Sequence, residues 1–275
     1  KGARGQAVKA RLTLRYGDEK SLFGVGDVPE FTAALLDRGT PSMTRQQIQD
    51  RFEALQADVS FGAGDTAATV SITTTRANLP AVIALVGDIL RNASFPAADL
   101  EELRQQTLSA IEAQRTEPDA LVSTALARHG DPYPRGDVRH ARSFDERAQD
   151  AKAVTIEQVR AFHKRFYGAG HAQFGASGDM DAAAVRATLE KAFGDWKSDA
   201  PYARVPAPLV AVSPERIVIR TPDKQNAMML AQLALPLSDN DADYPAFTLA
   251  NAMLGRGGSS RLWERIREKD GLSYD

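Results

Sequence analysis

Apolar and polar residues alternate with period two from Val8 to Tyr16 (Val8, Ala10, Leu12, Leu14, Tyr16), which predicts a half-buried strand. Between Pro29 and Leu36 the period lengthens to that of a helix, and the pattern stops at Arg38-Gly39. Thr44 and Gln47 then form a T-x-x-Q capping box, behind which Ile48, Phe52 and Leu55 share one helical face. Residues 66–75 (TAATVSITTT) are dense in β-branched side chains and predict a second strand. Helices follow over 79–92, with Asn78 as N-cap and Pro80 in the first turn, over 98–115, with Leu100, Leu103, Leu108 and Ile111 inward, and over 120–129. DPYPRGD (131–137) reads as an exposed turn by its proline and glycine content. A second capping box, Thr155 with Gln158, opens a helix carrying Ile156, Val159, Phe162 and Phe166 on one side. Residues 171–177 are strand-like and 181–193 helical, with Phe193 and Trp196 expected to seal the core.

Periodicity is lost over 197–214, which holds Pro201, Pro206, Pro208 and Pro214 and reads as a semi-extended linker, because each proline fixes φ and removes a donor. Strands are then predicted at 216–220 and 227–235, and a helix over 244–254. Ile48-x3-Phe52 followed by Val59-Ser60-Phe61 has a faint echo in Leu262-x3-Ile266 followed by Leu272-Ser273-Tyr274. Both are helix-then-strand, as a duplicated domain would give. The expected organisation is a complete domain over 1–198, a linker over 199–214, and the start of a second, truncated domain over 215–275. The chain is thus read as a fragment, with apolar faces such as Met228, Leu230 and Leu233 left uncovered.

The composition, with 43% hydrophobic and 25% charged residues over 275 positions, fits globular domains. The formal charge of −2 gives no electrostatic case for nucleic acid. No apolar run approaches the ~20 residues needed to span a bilayer. There are no cysteines, which excludes disulfides and thiolate zinc sites and leaves the compartment open between periplasm and cytoplasm.

Zinc catalysis needs about three protein ligands and one open position. His129, His140, His163 and His171 are the only histidines and none pairs at i, i+4, while Glu112 reads as a solvated helix residue. The stretch EFTAALLDRGT (30–40) contains no histidine. Asp131-Pro132-Tyr133 with Arg135 and His140 offers a candidate substrate-facing loop, although a plain surface loop is the better account of it. The glycine-rich turn Gly255-Arg256-Gly257-Gly258-Ser259-Ser260 precedes a helix start at Ser259 or Ser260. It lacks the G-K-[ST] order of a phosphate loop, so its glycines are read as permitting a tight helix–helix turn. Arg267 falls near the end of that helix, and Tyr274 follows just past Gly271.

The string LGRGGSSRLWERIREKDGLSYD (254–275) closely resembles the glycine-rich loop and Arg/Tyr pair in the C-terminal half of insulinase/pitrilysin-type zinc metallopeptidases. LLDRGTPSMTRQQIQDRFEALQADVSF (35–61) resembles the segment that follows the family's metal motif, with the metal ligands gone, and TLRYGDEKSL (13–22) is similar to bacterial PqqL-like two-repeat members. The resemblance implies an α+β, insulinase-like (LuxS/processing-peptidase-like) domain, with an antiparallel-rich sheet packed against helices. It implies the non-metal half of a zinc endopeptidase that cuts peptides or unfolded polypeptides in a closed chamber. Zinc would be bound by an N-terminal catalytic half, on the same chain or a separate subunit, and none by this chain, which alone is expected to be inactive. Arg267 and Tyr274 would contact substrate and favour the oxyanion, with Gly255, Gly257, Gly258 and Ser259 as a substrate loop. The implied location is the bacterial periplasm. The alternative is a non-catalytic binding or assembly subunit of the same fold.

Overall fold

The computed structural model describes residues 7–273. Its first strand, β1 (Ala7–Arg15), buries every second residue, as the alternation predicts: Val8, Ala10, Leu12 and Leu14 are all buried. After it come α1 (Val28–Ala34), a 3-10 turn (Leu36–Arg38), a two-residue ladder of β2 (Gly39–Thr40) with β3 (Met43–Thr44), and α2 (Arg45–Ala54). The Thr44 box forms in full: its hydroxyl accepts from the Gln47 amide, and the Gln47 side chain accepts from the Thr44 amide at 2.8 Å. Strands β4 (Asp58–Gly64) and β5 (Ala67–Thr75) make a hairpin.

The helical layer consists of α3 (Leu79–Asn92), α4 (Ala97–Gln114), α5 (Pro118–His129), α6 (Phe144–Ala153) and α7 (Ile156–Phe166). Strand β6 (Ala172–Gly178) and α8 (Ala182–Phe193) then complete this part of the chain. The sheet runs β4-β5-β1-β6 and is antiparallel throughout. Register places Val8, Ala10, Leu12 and Leu14 opposite Thr74, Ile72, Val70 and Ala68, so one face of the two central strands is continuous and apolar. Phe174 and Ala176 extend it on β6. Helices cover that face, each fully buried Val, Leu or Ile stabilising the fold by roughly 1.5–3 kcal/mol. α3 is apolar and buried along nearly its whole length, packed against α8 as well as the sheet. No single helix among the described residues is long and apolar enough to cross a membrane. Tyr16, Phe162, Phe166 and Tyr167 cluster edge-on and stacked, tying the end of β1 to α7. Tyr16 Oη donates to Gly64 O at 2.8 Å.

Two readings of the sequence need correction. Residues 216–220 and 227–235 form no strand. Their β-branched and apolar residues have the propensity, but a ladder needs partner strands to accept its hydrogen bonds, and an isolated strand is not stable in water. Helix α6 went unpredicted; its start is a third capping box, with the Ser143 hydroxyl accepting from Glu146 N (3.2 Å) and Ser143 N donating to Glu146 Oε2 (2.7 Å). The 131–137 turn lies at the surface, as read, with Pro132, Pro134 and Arg135 exposed, but two of its side chains brace it from inside. The Asp131 and Asp137 side chains are 7% and 8% exposed. Asp131 accepts from the Tyr133 and Ala141 amides, and Asp137 accepts from the amide and guanidinium of Arg139.

Packing divides the chain into two units, the described parts of Lys1–Ala207 with Ser213–Leu230, and of Pro208–Val212 with Ala231–Asp275. In the first, Ser213–Leu230 is fastened to the two ends of α5. Lys224 pairs with Glu117 at 2.9 Å, while His129 meets Ser213 O and Glu215, each at 2.9 Å. The second unit contains α9 (Tyr244–Gly255), α10 (Arg261–Trp263) and a π-helical turn (Glu264–Lys269).

Candidate functional site

The glycine-rich loop joins α9 to α10. Ser260 is the N-cap of α10, its hydroxyl accepting from Trp263 N at 3.4 Å, and it is 2% exposed. Gly257 (φ +86°) and Gly271 (φ +61°) lie in the left-handed region, where a side chain is strained, so a glycine brackets the segment at each end. Ala252, Met253, Arg256, Ser259, Ser260 and Arg261 line an open depression of about 390 Å³ between the two helices.

Beyond α10 the helix widens into the π turn that carries Arg267. Asp270 N donates to Arg265 O at 3.1 Å and Leu272 N to Ile266 O at 2.9 Å, so the turn closes on Gly271. π turns occur frequently at functional sites, because they displace one residue from the regular helical row. Here the guanidinium of Arg267 lies over the indole of Trp263, 4.4 Å from the ring centroid, with Nε 3.9 Å from Glu268 Oε1. The same indole is near the loop: a Cβ on Gly258 would lie 3.8 Å from Trp263 Nε1. Trp263 therefore links two of the predicted site features, the glycine loop and Arg267. Sequence reasoning missed it, although its position four residues before Arg267 is the i, i+4 spacing of a facing pair.

Of the predicted site residues, Gly255, Gly257, Gly258 and Ser259 form the loop, Ser259 lines the depression, and Arg267 is on the turn that follows. Tyr274 lies outside the described residues.

In the first unit, the helix that would occupy the metal-binding position by resemblance is α1. It presents Glu30, whose Oε2 is buried without a hydrogen-bond partner. Burial, and to a lesser degree the neighbouring Asp27 and Asp65, push its carboxyl up to about 7 against the pull of Arg142. Among the described residues no group of three histidines, aspartates or glutamates is placed to hold a metal. Zinc does not fit this part of the molecule. Glu112 is solvated and pairs with Arg115. His163 is a packed histidine: its Nε2 lies 2.7 Å from Leu90 O and its ring against Phe95 and Tyr167, and burial lowers its pKa.

Residues 153–275 match the family model described as the peptidase M16 inactive domain, a span that includes the glycine loop and Arg267. Over that span the chain is similar to the inactive domain of the M16 peptidases. The chain is also similar to curated relatives named as zinc proteases. One from Mycobacterium tuberculosis is 26% identical over 254 residues, covering 91% of this chain and 56% of the relative. One from Rickettsia felis is 22% identical over 268 residues, covering 98% and 63%. The chain thus spans about half to two thirds of the relatives it matches. Among solved structures, the M16 inactive domain from Pseudomonas fluorescens superposes with a TM-score of 0.74 at 24% identity, covering all of this chain and 66% of that one. The periplasmic protease PqqL from Escherichia coli gives 0.58 at 18% identity, over 74% and 23%. These likenesses establish the α+β M16 inactive-domain fold, with its antiparallel sheet packed on helices.

Proposed function

We propose that this chain is part of the non-metal half of a zinc endopeptidase, supplying a wall of the peptide-binding chamber and contacts to the reacting carbonyl. The observation that carries the reading is the M16 inactive-domain match over 153–275, which includes a loop and turn built to hold Arg267 in place. A guanidinium stacked on an indole is pre-oriented, and a guanidinium is a donor suited to a substrate carbonyl. A tyrosine hydroxyl at Tyr274 would add a donor to the oxygen on which negative charge develops. The zinc and its ligands belong, in this reading, to an N-terminal half, and the partner is a peptide or unfolded polypeptide. Relatives named as zinc proteases and the similarity to a protease named as periplasmic support the reading, periplasmic residence included.

The test is made in the full-length protein. Tyr274→Phe is expected to lower kcat about 100-fold with a small change in KM, as loss of an oxyanion donor does. The 275-residue chain alone is expected to cut no peptide, and to regain activity only with the metal half. Unchanged turnover in Tyr274→Phe removes that residue from the mechanism. A full-length protein that cuts no peptide under any metal loading points instead to a binding or assembly role.

A further inference from the structure

The face of the sheet away from the helices carries a row of cations with no acidic partners. On β1 the outward residues are Lys9, Arg11, Thr13 and Arg15, with Lys9 and Arg11 exposed. Register places Lys9 between Thr73 and Ser177, and Arg11 between Ser71 and Gly175. These flanking side chains are short and neutral, so the two cations stand above their surroundings. Arg15 donates to Gln173 Oε1 at 3.0 Å, and no ion pair to Lys9, Arg11 or Arg15 forms among the described residues. Among the described residues, the one carboxylate on the outward strand positions is Asp58, which pairs with Thr73 from β4 and so lies beyond β5 from Lys9. At the strand ends, Arg76 is already neutralised by Asp179 at 2.6 Å. The whole chain has a net charge of −2, so this cationic stripe is local and is not the overspill of a basic protein.

We infer that this face binds an extended, acidic polypeptide segment. Outward side chains two apart on a strand repeat at about 7 Å, the same repeat an extended peptide has on one of its own faces. Carboxylates at alternate positions of such a peptide match Lys9 and Arg11, and a further one can reach Arg15. The hydroxyls of Ser71, Thr73 and Ser177 can donate to the same carboxylates without adding bulk. The stripe rests on its own residues. If the proposed function holds, it makes this face a substrate-facing wall that favours acidic stretches.

The test uses the full-length protein, with EDTA present so that nothing is cut, and fluorescently labelled peptides read by anisotropy. A peptide alternating Thr and Glu is compared with one in which Gln replaces every Glu. The Glu peptide is expected to bind about tenfold more tightly at low salt, three exposed charge contacts being sufficient for that. The preference should shrink as salt rises and disappear in Lys9→Thr/Arg11→Thr/Arg15→Thr, a variant that keeps strand-forming residues and is checked for an unchanged Tm. Equal binding of the two peptides, or a preference surviving in the triple variant, overturns the proposal. Equal affinity for a single-stranded DNA of matching charge also overturns it, since the face would then select charge alone. Glu-peptide binding without cleavage of any peptide when zinc is restored sinks the proposed function and leaves this surface standing. Cleavage without any acidic preference does the reverse.

Discussion

At the scale of single residues, Arg267 and Glu30 show two opposite ways of placing a charge. Arg267 is held over the Trp263 ring by stacking, a contact worth about 0.5–2 kcal/mol. Trp263→Leu is therefore expected to keep the fold, by circular dichroism, and to lower kcat/KM of the full-length protein about threefold to tenfold by freeing the guanidinium. Unchanged kinetics would reduce the stacking to packing alone. Glu30 has one carboxyl oxygen, Oε2, buried and unpartnered, and its carboxyl is pushed up to about 7 by that burial. Because its folded value lies above the unfolded one, the neutral acid suits the fold. Its relative stabilising effect is complete below about pH 4 and is lost as pH rises through about 7. Glu30→Gln should thus raise stability at pH 8 by up to about 3 kcal/mol and change little at pH 4, measured by urea unfolding at both. A gain independent of pH would show that the carboxylate is solvated.

At the scale of elements, short-range rules account for helix starts. Thr44, Ser143 and Thr155 each accept from the amide three residues on, and Gln47, Glu146 and Gln158 return the bond. Thr155→Ala is expected to cost about 1 kcal/mol in urea unfolding. Ser143→Ala should cost more than that, since Glu146 also receives Arg128 and faces His140. The Ser143 amide and hydroxyl, with His140, hold the Glu146 carboxyl down to about 2. A depressed carboxylate contributes stability above its unfolded value and loses it as pH falls toward about 2. Acid should accordingly loosen the 131–143 segment early, read as amide exchange there rising between pH 4 and pH 2 ahead of β1 and β5. Simultaneous loss in all three segments would rule out local release. All three capping boxes were legible in the sequence because their atoms lie within four residues, and Ser143-x-x-Glu146 was overlooked despite the same signal. The bracing of 131–142 was hidden, because it depends on Glu19, Asp27 and Asp150, which only the fold brings near Arg139 and Arg142.

At the scale of the whole chain, burial is uneven. The core collects residues up to Ala200, whereas Met228 is 48%, Leu230 43% and Leu233 79% exposed. The uncovered apolar faces read from the sequence are therefore present. Methionine oxidation by peroxide should report this directly: Met229, 82% exposed, is expected to oxidise well before Met43, which is 8% exposed, when mapped by mass spectrometry on this chain. Similar rates would mean that Met229 is covered or that the core around Met43 opens readily.

Alternation in 8–16, the β-branched run in 66–75, the capping pairs and the glycine loop were determined by the sequence, since each depends on neighbours along the chain. The same local logic marked Arg267. The tertiary structure decided which strand propensities became a ladder, fixing β1 between β5 and β6 while leaving 216–220 and 227–235 unpaired. It also decided that DPYPRGD is braced, that Glu30 is desolvated and that Trp263 supports Arg267. Hydrogen-bond partners, ion pairs and desolvation are set by residues distant in sequence, and only folding brings those together.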